Sequence, residues 1–542
     1  MSVTRRFYDE LNDKEIIDNT NELSSSAAVS IDTDTQQQYL YRVKHNQYID
    51  YINSPLHSTT NNTITTNQTN TNEDTSHQLL IDSTLTSDNE VAHNDSLLHT
   101  LLHTYRVQMS ILNWYSVLVI SGIVCLLCAG LIGFEIGRFK YFSNIINNNT
   151  SIHQRNVIVV SLDGFRGDYL STYADIIPNL KYLQSTGISS EYMISAFPSI
   201  TFPNHYTLAT GLNPESHGIV ANHFYDPHIH QSFTYGSENQ NNEYWWSSGE
   251  PIWISSERWG IHAGVSMWPG SDVQNHNITA THIVQYDGTD GSSHVKDLLS
   301  WLMPDNGIKI NLAMIYMSMV DSAGHAYGLN TTQLSAAIQS ADNAIGNLIN
   351  GLKHNNIYDQ SDIIIVSDHG MTESSIDGVT EFIYLDDYVS NIDTIVDLEK
   401  STFGTIALIR VLNDNDINAV YQQLQSAPHM TVWLRDDVPL HYRYRTNDRI
   451  APIVILMNEG YISDLHQFPY RQLGTHGYDP ELQSMRAVFI ASGTTFANNI
   501  KLSSDELIHT RDIYNLLCTL LHISPAPNNG TIDTLIPYIN KW

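Results

Sequence analysis

Hydrophobic positions are sparse and aperiodic at the start of the chain, and their pattern changes twice further along. Residues 1–112 are polar, and Ser58–Asn70 is built almost wholly of Ser, Thr, Asn and Gln. Such a segment buries too little apolar area to offset its ordering entropy, so a disordered polar tail is expected there. From Trp114 to Phe134 no residue is charged. As a helix that run spans about 30 Å, the thickness of a bilayer core, so one transmembrane helix is expected over residues 113–135. Trp114 and Tyr115 at one edge and Tyr141 beyond the other suit the headgroup zones. The run begins too far along the chain to be a cleavable signal peptide. A short Asn-rich stalk, residues 136–153, follows.

The remainder, residues 154–542, reads as one domain. Val157–Leu162 is a continuous β-rich run, as expected of a strand covered on both faces. Ile310–Met319, Asp362–Ser367 and Arg486–Ala491 read the same way. Helices are expected near Ile176–Ser185 and Leu507–Leu521. Leu334–Leu352 is amphipathic, with Leu334, Ile338, Ala341, Ile345, Leu348 and Leu352 on one face. Alternating strands and helices predict an α/β fold: a mostly parallel central sheet with helices on both faces. In such sheets, chemistry gathers at the carboxyl ends of the strands.

Composition narrows the function. The chain has 542 residues with 26 Lys and Arg against 57 Asp and Glu, a net charge of −31. That balance excludes a basic nucleic-acid footprint, so no nucleic-acid partner is expected. It leaves nucleotide chemistry open, because bound metal ions can supply local positive charge. Three cysteines exclude a disulfide scaffold, and with Cys125 and Cys128 in the apolar run they also exclude a cysteine zinc site in the domain.

The chemistry lies where the strands end. The first run ends Ser161-Leu-Asp163-Gly-Phe-Arg, the second leads to Asp321-Ser-Ala-Gly-His325, and the third ends Ser367-Asp368-His369-Gly; a later loop reads Gly474-Thr-His476-Gly-Tyr-Asp. Carboxylates and imidazoles thus collect at one sheet edge, a donor set suited to Zn²⁺ and tolerable for Mn²⁺. Gly164, Gly324, Gly370 and Gly477 stand beside them to permit tight turns. Each piece alone is weak; four in order are hard to obtain by accident. Phe197-Pro-Ser-Ile-Thr201-Phe-Pro-Asn-His-Tyr sits where a loop should feed a helix. A metal-coordinated Thr201 hydroxyl at a helix N-terminus is the candidate nucleophile, with Ser199 as its rival.

These segments, together with Thr201-Phe-Pro-Asn-His-Tyr-Thr-Leu-Ala-Thr-Gly, resemble the nucleotide pyrophosphatase/phosphodiesterase family of the alkaline phosphatase superfamily. The resemblance covers about residues 154–525 and leaves the tail and apolar run outside. It implies an alkaline-phosphatase-like fold and two Zn²⁺ ions. One would be held by Asp321, His325 and His476, the other by Asp163, Asp368, His369 and the Thr201 oxygen. It further implies in-line attack by Thr201 and a phosphothreonine intermediate. Asn222 matches the family's asparagine that hydrogen-bonds a phosphate oxygen; a neutral amide suits a diester, where a monoesterase would offer Arg. Phe202, Trp268 and Tyr286 match the segments that place aromatics around a base, with Tyr235 a weaker candidate. The family's cysteine-rich modules and nuclease-like domain are not evident in this sequence.

The reading is a membrane-anchored hydrolase acting on extracellular nucleotides or dinucleotides and releasing nucleoside 5′-monophosphates. Its rivals are a choline-phosphodiester phosphodiesterase, which needs a cage for quaternary ammonium, and a non-catalytic receptor of the same fold. A plasma-membrane, single-pass type II glycoprotein with an extracellular catalytic domain is expected. Arg106 before the apolar run and Arg138 and Lys140 after it lean weakly against that orientation. Sequons fall on both sides: Asn61, Asn67 and Asn94 before the run, and Asn148, Asn149, Asn277, Asn330 and Asn529 after it.

Overall fold

The computed structural model describes residues 155–376, 379–467 and 472–540. The tail, the apolar run Trp114–Phe134 and the stalk lie outside the described residues, so the expected membrane span is not addressed. Among the described residues no helix is long and apolar enough to cross a membrane.

The core is an eight-stranded sheet. Its strands in chain order are β1 (Asn156–Leu162), β2 (Gly187–Ser189), β3 (Ala263–Ser266), β4 (His282–Val284), β5 (Leu312–Met317), β6 (Ser361–Val366), β7 (Phe489–Ser492) and β8 (Ile500–Lys501). They lie side by side as β8-β2-β7-β6-β1-β5-β3-β4. Every pairing is parallel except the two made by β7. The sheet is therefore mostly parallel, and the strand expected at Arg486–Ala491 begins later and runs against its neighbours.

Strand β1 is buried along its whole length, which explains its unbroken apolar sequence. Val157 and Val159 face one hydrophobic layer, and Ile158, Val160 and Leu162 face the other. One layer is closed by helices α1 (Pro178–Ser185), α3 (Val295–Leu302) and α5 (Thr332–His354). All six apolar positions read along Leu334–Leu352 are buried on α5. Thr331 caps its start by accepting the Leu334 N–H at 3.1 Å. The other layer is closed by α6 (Asp512–Leu520) and the helix Ile252–Arg258. The helix expected from Leu507 begins only at Asp512, because Ile508–His509 pairs as a short strand with Met193–Ile194.

Five smaller two- and three-stranded sheets among the described residues were not foreseen, including the following two. Ile453–Met457 lies antiparallel between Ile406–Ile409 and Met430–Leu434. His223–Asp226 and Gln231–Thr234 form a hairpin. The buried Arg449 guanidinium joins this hairpin to the segment before it through Asp226 at 2.8 Å and the Gly218 carbonyl at 2.9 Å. It thereby anchors the stretch that leads to Asn222.

Candidate metal centre and active site

Register converts four separated sequence segments into one cluster. In the adjacent strands β6, β1 and β5, Ser161 lies level with both Val366 and Tyr316. The residues just past these ends are Asp163 after β1, Asp368 and His369 after β6, and the turn into helix α4 (Met319–Tyr327) after β5. Asp321 and His325 are thus not at a strand end as the sequence suggested. They stand four residues apart on one face of α4, with Nε2 and Oδ1 3.3 Å apart. His476 follows a two-residue strand, Gly474–Thr475, paired with Thr372–Glu373.

Of the four glycines beside these residues, Gly164 and Gly477 adopt positive φ, +65° and +106°. A Cβ on Gly164 would lie 3.0 Å from the Asp321 Cα, so only glycine lets the Asp163 loop sit against α4. Gly324 and Gly370 are instead places of close approach, to Met371 and to the Ser484 backbone.

Donor atoms converge on two neighbouring points. Asp321, His325 and His476 form one group, and Asp163, Asp321 and His369 a second. The His476 Nε2 is 3.2 Å from the His325 Nε2 and 3.6 Å from the Asp321 Oδ1. The His369 Nε2 is 3.4 Å from the Asp163 Oδ1, 3.0 Å from the Asp368 Oδ2 and 3.2 Å from the Thr201 Oγ1.

Each imidazole is oriented from behind. The Nδ1–H of His325 donates to the Gly474 carbonyl at 2.8 Å, that of His369 to the Gly370 carbonyl at 2.8 Å, and that of His476 to the Ser199 carbonyl at 3.0 Å. This leaves every Nε2 directed at the centre, the arrangement by which proteins present histidine to a metal. Carboxylates are held in the same manner. The Tyr316 hydroxyl donates to the Asp163 Oδ2 at 2.5 Å, and the Gly164 N–H to the Asp368 Oδ1 at 3.3 Å. The opposite oxygens, Asp163 Oδ1, Asp321 Oδ1 and Asp368 Oδ2, are buried and accept no hydrogen bond.

The electrostatics agree with a cation at this place. Burial, then the charges of Asp368 and Asp321, push the Asp163 carboxyl well above the ordinary range. Burial also raises Asp321 and Asp368, but the adjoining histidines outweigh it and hold both below their ordinary value. His476 is pushed down to about 3, by burial first and then by the charge of His369. Buried carboxylate oxygens without hydrogen bonds, facing three imidazole lone pairs, are costly without a positive charge between them. The residues present therefore fit divalent metal ions.

Thr201 is the first residue of helix α2 (Thr201–Thr210), after an extended Ile200. The rival hydroxyl points away: Ser199 is fully buried and donates to the Tyr478 carbonyl at 2.6 Å. The Asn222 Oδ1 accepts the Phe202 N–H at 3.0 Å, which ties its amide to the residue after the nucleophile, and both Asn222 and Thr201 line one cleft. Two clefts flank the centre. One, of about 90 Å³, is lined by Thr201, Phe202, Asn222, Tyr235, Trp268, Asp272, Tyr286 and Tyr316. The other, of about 260 Å³, is lined by His325, His476, Asn222, Tyr235, Thr405 and the 401–406 segment.

The aromatics differ in role. The Phe202 ring lies 5.5 Å from that of Tyr235, and Tyr286 6.5 Å from Tyr316. Trp268 is 2% exposed and donates through Nε1 to the His205 carbonyl at 3.1 Å, so it is wall more than open contact. Two supporting residues escaped the sequence reading. Tyr316 holds Asp163. His205 is fully buried, and its Nε2 lies 2.8 Å from the Ser161 Oγ; its Nδ1 lies 2.9 Å from the Thr201 carbonyl and 3.3 Å from the Asp368 Oδ2. Position four beyond Thr201 on the same helix face was the signal for His205. Tyr316, inside an apolar strand, offered none.

Residues 157–479 match the sequence model of the type I phosphodiesterase/nucleotide pyrophosphatase family. The chain belongs to this family. It is therefore a hydrolase of the class that acts on phosphodiester and pyrophosphate bonds, and the metal dependence of that class agrees with the donor set. An uncharacterised pyrophosphatase/phosphodiesterase of Schizosaccharomyces pombe is 38% identical over 431 residues, covering 77% of this chain and 87% of that protein. The bis(5′-adenosyl)-triphosphatase of Xenopus laevis is 35% identical, covering 71% and 82%. The mouse ectonucleotide pyrophosphatase/phosphodiesterase family member 3 is 35% identical, and the chain spans only 43% of its length. Among solved structures, human family member 5 superposes with a TM-score of 0.66 at 34% identity, covering 71% of this chain and all of that one. An inactive Thr-to-Ala variant of the murine family member 5 in complex with AMP gives 0.65 at 32% identity.

Proposed function

We propose that the chain is a nucleotide pyrophosphatase/phosphodiesterase that works through a covalent Thr201 intermediate and two zinc ions. The observation that carries this reading is the set of three buried carboxylate oxygens and three backbone-oriented imidazoles around one threonine hydroxyl. Asp321, His325 and His476 would hold one ion; Asp163, Asp368, His369 and Thr201 would hold the other. When bound, the ions supply Lewis acidity that lowers the pKa of the hydroxyl and offsets charge on the departing oxygen.

Thr201 Oγ1 gives up its proton to solvent and attacks the phosphorus esterified to the nucleoside 5′-oxygen; the bond to the leaving oxygen breaks, the remainder of the substrate departs, and the nucleoside 5′-phosphoryl group is left esterified to the threonine. Water then displaces Thr201 and releases a nucleoside 5′-monophosphate. The α2 N-terminus favours negative charge at Oγ1, and the Asn222 Nδ2 donates to a phosphate oxygen. Phe202 and Tyr286 would flank a base in the smaller cleft, a stacking worth about 1–3 kcal/mol. Asp272 lines the same cleft with an Oδ1 that accepts no hydrogen bond, and burial lifts its pKa to about 6. The AMP complex of the murine relative, made with a threonine-to-alanine variant, supports both the nucleophile and the nucleotide. The leaving group would exit through the larger cleft beside His325 and His476.

The test is a side-by-side hydrolysis screen of the metal-replete full chain on a dinucleoside polyphosphate, ATP and glycerophosphocholine. Nucleotides should turn over and the choline ester should not. Turnover of the choline ester alone would replace this reading with its choline-phosphodiesterase rival. In this reading the catalytic domain works outside the cell, with the uncharged run Trp114–Phe134 as its proposed membrane anchor.

A further inference from the structure

A third cavity, of about 350 Å³, lies at the carboxyl edge of the sheet but beyond the catalytic strands, where β2, β8 and the approach to β7 meet. Lys181 and Gln184 of α1, Ser190 and Tyr192 after β2, Arg486 before β7 and Lys501 ending β8 line it. The proposed reaction uses none of these residues. The chain as a whole carries 57 acidic against 26 basic side chains, so three cations around one cavity run against its composition.

Their charge is also uncommitted. Among the described residues, Lys181, Arg486 and Lys501 make no ion pair. Of the two acids in the wall, Asp168 is already held by Arg166 at 2.6 and 2.9 Å. That leaves three unpaired cations against one unpaired acid, Glu191. The Arg486 guanidinium lies 3.8 Å from the Tyr192 ring centroid, a stacked pose that fixes its plane.

Polar atoms also lie behind the wall, closed off from the cavity itself. The Ser190 hydroxyl belongs to a residue only 4% exposed and makes no hydrogen bond. The Arg486 Nε and the Gln184 Oε1 are likewise buried and without a partner. The two ammonium groups and the planar guanidinium of Lys181, Lys501 and Arg486 suit a tetrahedral oxyanion. We propose that this cavity is a second anion site, separate from the catalytic centre, that takes the phosphate group of a small phosphorylated molecule.

Equilibrium dialysis of radiolabelled orthophosphate against the full chain tests it. The catalytic centre binds the probe equally in wild type and in a Lys181→Gln/Lys501→Gln variant, so the difference between them reports the cavity alone. Both lysines are exposed, and the variant should fold and turn over a nucleotide ester with unchanged kcat/KM in phosphate-free buffer. The expected result is one fewer phosphate bound per chain, or at least a tenfold weaker second class of site. A Lys181→Arg/Lys501→Arg variant should bind as wild type does. Equal binding by wild type and the glutamine variant overturns the proposal.

Discussion

Ser199 and Thr201 stand two positions apart and carry the same hydroxyl chemistry, one in the loop before α2 and one at its first residue. Their surroundings separate them completely. Ser199 is spent on the Tyr478 carbonyl, whereas the Thr201 Oγ1 lies 3.2 Å from the His369 Nε2. Thr201→Ala should therefore lower turnover by roughly 10³-fold or more while leaving metal content and AMP binding close to wild type. Ser199→Ala should keep turnover within a few-fold and cost about 1–2 kcal/mol in urea unfolding, since it strands a buried carbonyl. Steady-state kinetics and metal analysis of the two variants decide the matter; an active Thr201→Ala protein would mean another nucleophile. The candidate ligands were legible because Asp and His close after apolar runs are chemically conspicuous, although Asp321 and His325 prove to lie on a helix. Which carboxylate oxygen faces the centre was not legible, because it depends on Tyr316 and on the Gly164 N–H.

At the level of elements, long apolar runs were read well. Strand β1 and helix α5 stand within two residues of their expected limits. Errors arose where a distant partner decided the outcome. The side-chain pattern of Phe489–Ser492 is the same for either strand direction, so its antiparallel course was invisible. Ile508–His509 has helix-compatible residues, but pairing with Met193–Ile194 draws it into a strand. Ile406–Ile409 and Ile453–Met457 carry the same short apolar runs as the central strands and were passed over, although they build the sheet beneath the larger cleft. The Asp163 turn tests the element scale. Gly164→Ala places a Cβ at φ +65° and 3.0 Å from the Asp321 Cα. It should cost about 1–3 kcal/mol in unfolding free energy and reduce metal content. Retention of full metal occupancy would show that the loop and α4 can separate without loss.

Taken whole, the molecule has two concentrations of chemistry along one sheet edge. The acidic and imidazole set lies at β6, β1 and β5, and the basic cavity lies at β2, β7 and β8. An acidic chain can work on anionic substrates only if something other than its net charge attracts them, and metal ions bound by the proposed donor set would fill that role. The proposed topology is tested on intact cells expressing the full chain. External protease should release the domain from residue 154 onward, with loss of cell-associated nucleotide hydrolysis. Survival of that domain would place it on the other side of the membrane.

By itself the sequence determined the family, the main strands and the sheet class, and it named the candidate donor residues and the candidate hydroxyl's segment. These follow from local composition and period, which neighbouring residues set. Only the tertiary structure decided which hydroxyl is poised, which oxygens are left bare, that Asp321 and His325 share a helix, and that Lys181, Arg486 and Lys501 surround one cavity. Each of those facts depends on register between strands far apart in the chain, and no local pattern encodes it.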